Sequence, residues 1–210
     1  MINILLSTYD FDNKFCFDKI KNIIQPNMKV LILPFAHDYS VFENEDFFNE
    51  LYDFDYGKEF NNIYSSFYNY GIKKENVIVL NPFRDNEKFM KMKIQQADIL
   101  FGVGGNPIIF MEMLNRLNIL EDIKSFNRMF IGASASAMVQ MKEFVTYPTE
   151  SEDYDFEFYE GLGFIEDKDI IVHWDNKDYQ FDAIIYSIIR RDMDFILLED
   201  GKCKIIKKEE

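Results

Sequence analysis

Short, almost wholly apolar runs alternate along this chain with longer amphipathic stretches. Such runs are typical of parallel strands that are buried on both faces. They predict strands at Ile2–Ser7, Lys29–Pro34, Asn76–Leu80, Asp98–Val103, Arg128–Ile131 and Asp169–His173. The stretches between the runs place apolar residues at helical spacing. They predict helices at Phe15–Ile24, Glu43–Tyr52, Phe60–Tyr70, Asn86–Gln96, Pro107–Leu120 and Tyr179–Ile189.

Regular alternation of strands and helices indicates an α/β fold. Five successive βα units imply a mostly parallel sheet with helices on both faces. We therefore predict one domain over residues 1–210, with a mostly parallel, doubly wound sheet of the flavodoxin-like type. Two further apolar runs, Asp194–Leu198 and Lys202–Lys207, flank Asp200-Gly201 and predict a terminal hairpin. Sites in such folds lie at the carboxyl ends of the strands.

Composition narrows the classes of partner. The net charge of -14 over 210 residues argues against nucleic acid, because phosphate binding needs a basic surface. The two cysteines, Cys16 and Cys203, lack metal-ligand spacing, which favours a reducing compartment. The apolar start at Met1–Leu6 is too short for a signal segment, and no apolar run reaches membrane-spanning length. We expect a cytoplasmic monomer or homodimer that binds neither membranes nor nucleic acid.

A cluster of tiny residues marks one strand-to-helix junction. The apolar run Met129–Ile131 leads into Gly132–Ala137, and helix-compatible residues follow at once. A serine at such a sharp turn is raised clear of the sheet, and only small neighbours fit around the bend. Ser134 is therefore the candidate nucleophile. The usual pattern is Gly-x-Ser-x-Gly, and Ser136 stands at its last position.

A serine nucleophile needs a base within hydrogen-bond reach and a carboxylate that orients the base. The only histidines are His37 and His173, and both follow predicted strands. His173 is the better candidate because it follows Ser134 in the chain and ends a strongly apolar run. Asp175 is a candidate for the acid. Other candidates lie in the acidic stretch between Ser134 and His173, namely Glu150, Glu152 and Asp153. The residues alone do not rank these carboxylates.

A glycine-rich turn, Phe101–Pro107, runs from a strand into a helix. Glycines there expose backbone N–H groups that can stabilise an oxyanion. Gly104 or Gly105 could supply one N–H, and Ala135 the second. A nucleotide-binding loop is less well supported, because Pro107 occupies the third glycine position. A plain tight turn stays open as an alternative.

Together these segments resemble peptidase family S51, the group of peptidase E (aspartyl dipeptidase) and cyanophycinase, which has a class I glutamine amidotransferase-like fold. The resemblance covers about residues 98–205 and rests on four segments. They are Phe101–Asn106, Ile131–Ala137, Gly161–Ile165 with Val172-His173, and Leu197–Gly201.

The resemblance implies a three-layer α/β/α sandwich with Ser134 as nucleophile and His173 as base. It places the acid roughly midway between them, nearest Glu150. Asp175 is second, since related amidotransferases use a His-x-Glu pair. It also implies that Asn106 contacts the substrate, and that neither a metal nor an organic cofactor is needed.

The leading hypothesis is thus a serine hydrolase of the peptidase E type that cleaves a small peptide or another amide. Two departures from the family pattern, Ser136 for Gly and Pro107 for Thr, could lower activity or indicate altered chemistry. Ser136 and the unassigned acid favour a second hypothesis, a catalytically weak or inactive amidotransferase-like module that binds a ligand. The distance between Ser134 and His173 separates the two hypotheses. An α/β-hydrolase esterase fits less well, because its acid and histidine come later in the chain. The family's aspartyl specificity depends on basic pocket residues that these four segments do not include, so the substrate preference does not transfer.

Overall fold

A computed structural model describes residues 1–37, 45–150, 154–191 and 193–208. Its strands are β1 (Ile2–Leu6), β2 (Val30–Leu33), β3 (Val77–Val79), β4 (Ile99–Gly102), β5 (Met129–Ala133), β6 (Glu143–Thr146), β7 (Glu157–Glu160), β8 (Lys168–Val172), β9 (Asp194–Leu198) and β10 (Cys203–Lys207). Its α-helices are α1 (Phe17–Ile20), α2 (Glu45–Tyr52), α3 (Lys58–Asn69), α4 (Glu87–Gln96), α5 (Pro107–Arg116), α6 (Leu120–Lys124), α7 (Ala135–Met138) and α8 (Asp178–Arg190). None of these helices is long and apolar enough to cross a bilayer.

The central sheet has six strands in the order β10-β1-β5-β4-β2-β3. Five of them run parallel, and β10 lies antiparallel to β1 at one edge. Every residue of β2, β4 and β5 is buried, as their continuous apolar runs require. The mostly parallel α/β fold flanked by helices is therefore confirmed. The carboxyl ends of β1, β2, β4 and β5 meet along one edge of this sheet.

Aromatic side chains fill much of the main core. The ring of Phe67 lies 5.1 Å from that of Phe11 and 5.5 Å from that of Phe101, both in edge-on contact. All three side chains are fully or almost fully buried. Aromatic residues, which make up 17% of the chain, thus serve packing in this part of the fold.

A second, smaller apolar cluster lies between two short sheets and α8. It centres on Val145, Tyr147, Ile171 and Ala183. One of the sheets pairs β6 with β7 antiparallel, and the other pairs β8 with β9 in parallel. The predicted terminal hairpin is wrong, because β9 joins β8 while β10 joins β1. Gly201, with a φ of 69°, turns the chain from one sheet to the other.

Three other segments differ from their predictions. The predicted helix Phe15–Ile24 is reduced to α1, Phe17–Ile20. The predicted helix Pro107–Leu120 is divided into α5 and α6, because Asn118 between them adopts a left-handed φ of 55°. The stretch between α7 and β8, predicted as an acidic loop, contains β6 and β7. The predicted start of α2 at Glu43 lies outside the described residues.

Candidate active site

The nucleophile elbow begins where β5 ends. Ser134 has φ 50° and ψ -113°, a strained backbone for any residue with a side chain. Its N–H donates to the Leu6 carbonyl of neighbouring β1 at 2.8 Å, which fixes the turn against the sheet. Helix α7 starts at the next residue, Ala135. The predicted strand–turn–helix geometry around Ser134 is present.

Ser136, which stands in place of a glycine, fits this elbow without crowding it. Its hydroxyl donates to the Val103 carbonyl at 2.5 Å. Its side chain fills the space beside Gly102, where an added Cβ would lie 2.5 Å from Ser136 Cβ. The missing Cβ on β4 therefore compensates for the extra side chain on α7. This contact explains how the elbow accommodates a serine where the usual motif has glycine.

His173 reaches Ser134 from a different sheet. It follows β8, and its Nε2 lies 2.9 Å from Ser134 Oγ. Its φ of 53° is also left-handed, so its backbone is strained as well. Two buried side chains secure that backbone. Ser7 Oγ accepts from the His173 N–H at 3.1 Å, and Gln180 Nε2 donates to the His173 carbonyl at 2.8 Å.

The carboxylate beside His173 is Asp200. Its Oδ1 lies 2.6 Å from His173 Nδ1. Because β9 runs parallel to β8, the residues that follow β9 emerge next to those that follow β8, and Trp174 N–H donates to the Leu198 carbonyl. When Nδ1 donates to Asp200, Nε2 is left to accept the Ser134 hydroxyl proton.

Neither predicted acid contacts the imidazole. Glu150 accepts a hydrogen bond from Lys177 at 3.0 Å, and Asp175 lies 4.0 Å from the same ammonium. The prediction of Glu150, with Asp175 as alternative, is therefore corrected to Asp200. Glu152 and Asp153 lie outside the described residues. Asp200 could have been predicted as the acid only from the parallel pairing of β8 with β9, and the predicted terminal hairpin assigned β9 a different partner.

Sequence reasoning also missed Ser7, which links the histidine to the acid. Besides accepting from His173, its hydroxyl donates to the Leu198 carbonyl at 2.8 Å. Leu198 is the last residue of β9, two positions before Asp200. One buried hydroxyl at the end of β1 thus holds the ends of β8 and β9 in register.

The backbone donors near Ser134 differ from the prediction in one respect. Gly104 N–H donates to the Tyr9 hydroxyl at 2.8 Å, so it is already engaged. Burial raises the pKa of Tyr9 to about 12, which keeps this partner a neutral phenol. Gly105 and Ala135 remain as the predicted oxyanion donors. Ala135 opens α7, where the first N–H groups have no partner within the helix.

A pocket opens beside Ser134 and His173. It has an empty volume of about 530 Å³, which includes space open to solvent. Gly105 and Pro107 line one side, and Met138 of α7 and Tyr179 of α8 also face it. A pocket of this size fits a small substrate rather than a folded protein.

A model of peptidase family S51 matches residues 4–210. The chain belongs to that family. As a family S51 peptidase it is an enzyme, in agreement with the resemblance in its elbow and glycine turn. No curated relative matches it by sequence.

Solved structures show the same fold. A protein assigned as a peptidase E from Listeria monocytogenes EGD-e superimposes with a TM-score of 0.65 at 16% identity. That alignment covers 100% of this chain and 95% of the other. A peptidase from an acI-B1 Actinobacterium gives the same TM-score and identity, with 98% and 83% covered.

The predicted contact residue Asn106 and the less favoured histidine, His37, have structural partners in this S51 peptidase. Asn106 Oδ1 accepts from the N–H groups of Ile108 and Ile109 and caps α5, so only its amide nitrogen is left to support the predicted substrate contact. His37 shares a hydrogen bond of 2.8 Å with the Tyr52 hydroxyl, and burial lowers its pKa. The preference for His173 over His37 as the candidate base agrees with this arrangement.

Proposed function

We propose that this S51 peptidase cleaves a small peptide or another amide by a Ser-His-Asp mechanism. The observation that carries the proposal is one continuous chain of hydrogen bonds. It runs from Ser134 Oγ through both ring nitrogens of His173 to the carboxylate of Asp200, with distances of 2.9 and 2.6 Å. Such a chain activates a hydroxyl that is otherwise a weak nucleophile.

In the first half of the reaction, Ser134 Oγ attacks the substrate carbonyl carbon while His173 Nε2 takes its proton. Asp200 keeps the imidazole in the required tautomer and stabilises the imidazolium that forms. The N–H groups of Gly105 and Ala135 are proposed to hold the developing oxyanion. His173 then donates the proton to the leaving amine, and the acyl group stays on Ser134.

In the second half, water replaces the amine. His173 takes a proton from this water, which attacks the acyl carbon, and the same proton returns to Ser134 as the acid product leaves. Both half-reactions use only protein groups and water.

The alternative of an inactive ligand-binding module has less support. It predicted that His173 would lie beyond reach of Ser134, and the two atoms are within hydrogen-bond distance. Its second argument was Ser136, which the space beside Gly102 accommodates.

A fluorophosphonate probe tests the proposal, because it forms a bond only with an activated serine. We expect labelling of the folded protein at Ser134, found by peptide mass analysis. Labelling should disappear in Ser134→Ala and persist in Ser65→Ala, a control on α3. Equal labelling of Ser134→Ala and the parent protein would contradict the proposed nucleophile, as would no labelling at all.

A further inference from the structure

We propose that the pocket beside Ser134 accepts a neutral aromatic or large apolar side chain of the peptide substrate and disfavours an acidic one. This inference rests on the proposed function and deepens it, because it concerns the residue next to the bond that is cleaved. It is argued from the side chains that line the pocket and from the charges around its rim.

Aromatic rings and apolar groups dominate the lining. Three of the lining residues are tyrosines, and three others are apolar. They are Tyr147, Tyr154 and Tyr179, with Pro107, Met138 and Val172. The rings of Tyr147 and Tyr179 are stacked, with centroids 6.2 Å apart and planes inclined by 25°. A substrate ring can extend this stack, and the Met138 thioether is also a favourable neighbour for a ring.

The tyrosines come from two elements that pack against each other. Tyr147 follows β6 and is buried, whereas Tyr179 lies in the first turn of α8 and is half-buried. Both belong to the second apolar cluster, which holds them in place. The stack is thus a preformed wall, and a substrate ring meets it without ordering loose side chains.

The charges near the pocket disfavour a substrate carboxylate. Among the described residues that line it there is no lysine, arginine, aspartate or glutamate. The nearby ammonium of Lys177 is engaged by Glu150 and Asp175, so these three groups carry one net negative charge. A carboxylate that entered the pocket would lose water without gaining a cation.

The residues outside the described part of the chain cannot supply the missing cation either. The ranges 38–44 and 151–153, which lie outside the described residues, contain no lysine or arginine. A basic substrate side chain also finds no carboxylate in the described lining, although the nearby group of Lys177, Glu150 and Asp175 carries a net negative charge. We therefore expect the order aromatic, then basic, then acidic.

Dipeptides test this order on both sides of the scissile bond. The panel is Phe-Ala, Lys-Ala and Asp-Ala, with the reversed set Ala-Phe, Ala-Lys and Ala-Asp, and the free amino acids are separated and counted. At one of the two positions we expect kcat/KM for Phe to exceed that for Asp by at least about tenfold. Equal rates for Phe and Asp at both positions, or a preference for Asp, would overturn the proposal.

Two variants test the pocket wall itself. Tyr147→Leu removes the stacked ring and should lower kcat/KM for the Phe peptide by several-fold while the Asp peptide changes little. Tyr179→Arg places a cation at the wall and should raise the Asp-to-Phe ratio. Tyr68→Leu, an exposed tyrosine on α3, is the matched control and should leave all ratios unchanged. If neither wall variant changes the ratios, this pocket does not select the side chain.

The fluorophosphonate probe separates the two proposals. A protein that is labelled at Ser134 but cleaves none of the six dipeptides retains its nucleophile and refutes the pocket assignment. A protein that is neither labelled nor active refutes the proposed function, and the pocket assignment fails with it.

Discussion

The contact between Ser136 and Gly102 leads to a quantitative prediction. Ser136 occupies the last position of the usual Gly-x-Ser-x-Gly elbow, and it fits only because Gly102 on β4 has no side chain. In Gly102→Ala the new Cβ would lie 2.5 Å from Ser136 Cβ and 2.6 Å from its Oγ. Both distances are about 1 Å shorter than normal contact.

The expected loss of stability has two parts. Overpacking of a tight core site costs about 1–3 kcal/mol. If Ser136 moves away to relieve the contact, it loses its hydrogen bond to the Val103 carbonyl, which adds about 1 kcal/mol. We therefore expect Gly102→Ala to lower the free energy of unfolding by about 3 kcal/mol. For a chain of this length that corresponds to a decrease in Tm of roughly 6–12 °C.

A second substitution, Ser136→Gly, should abolish most of the loss of stability caused by Gly102→Ala. Ser136→Gly alone should destabilise by about 2 kcal/mol, through the lost hydrogen bond and a glycine in α7. It also removes the obstacle. The Cβ added at position 102 then has Phe130 Cε1 as its next neighbour at 3.4 Å, an ordinary contact. Adding Gly102→Ala to Ser136→Gly should therefore change stability by less than about 1 kcal/mol.

Urea unfolding of the parent, both single variants and the double variant gives the coupling energy, which we expect to be about 3 kcal/mol. The rate of fluorophosphonate labelling at Ser134 should follow the same pattern, decreasing in Gly102→Ala and recovering in the double variant. If the two effects add to within about 0.5 kcal/mol, the residues are not coupled and the explanation for Ser136 is wrong.

Three further predictions concern the carboxylates and Ser7. Asp200→Asn should lower kcat at least about 100-fold, because the amide no longer orients or stabilises the imidazolium, whereas Glu150→Gln should change kcat less than about threefold. Steady-state kinetics on one peptide measures both effects. A larger loss in Glu150→Gln than in Asp200→Asn would restore Glu150 as the acid. Ser7→Ala should lower kcat about tenfold with KM nearly unchanged, because it frees the strained backbone of His173. A tenfold loss of kcat/KM that comes only from a higher KM would argue against this positioning role. Burial raises the pKa of Asp169 to about 6. The folded protein therefore keeps the Asp169 carboxyl protonated to higher pH than the unfolded chain does. The free energy of unfolding should fall by up to about 3 kcal/mol as pH rises from about 4 to 6. Urea titrations of the parent and Asp169→Asn at pH 4, 5, 6 and 7 measure this, and identical slopes would contradict the raised pKa.

The parts of the site that were predictable depend on local chemistry. A run of tiny residues after an apolar strand specifies a sharp turn, so Ser134 could be found from its immediate neighbours. His173 could be placed near it because parallel strands end at a common edge. The fold class followed from the same apolar runs.

The acid could not be found in this way, because it depends on which strand pairs with which. The turn at Asp200-Gly201 fits a hairpin as well as it fits a crossing between two sheets, and only the second arrangement brings Asp200 to His173. The compensation between Ser136 and Gly102 is likewise a contact between distant segments. Both features are fixed by tertiary packing.

The position of β10 has a consequence for how the enzyme folds. Ile2 pairs with Lys207, so two segments that are far apart along the chain must meet before the edge of the sheet is complete. Pairings over such long loops form slowly and late. Asp200 lies between β9, which pairs with β8, and β10, which pairs with β1, so the loop that carries the acid is anchored on both sides only when both pairings have formed. We therefore expect full hydrolytic activity only after this edge of the sheet is complete.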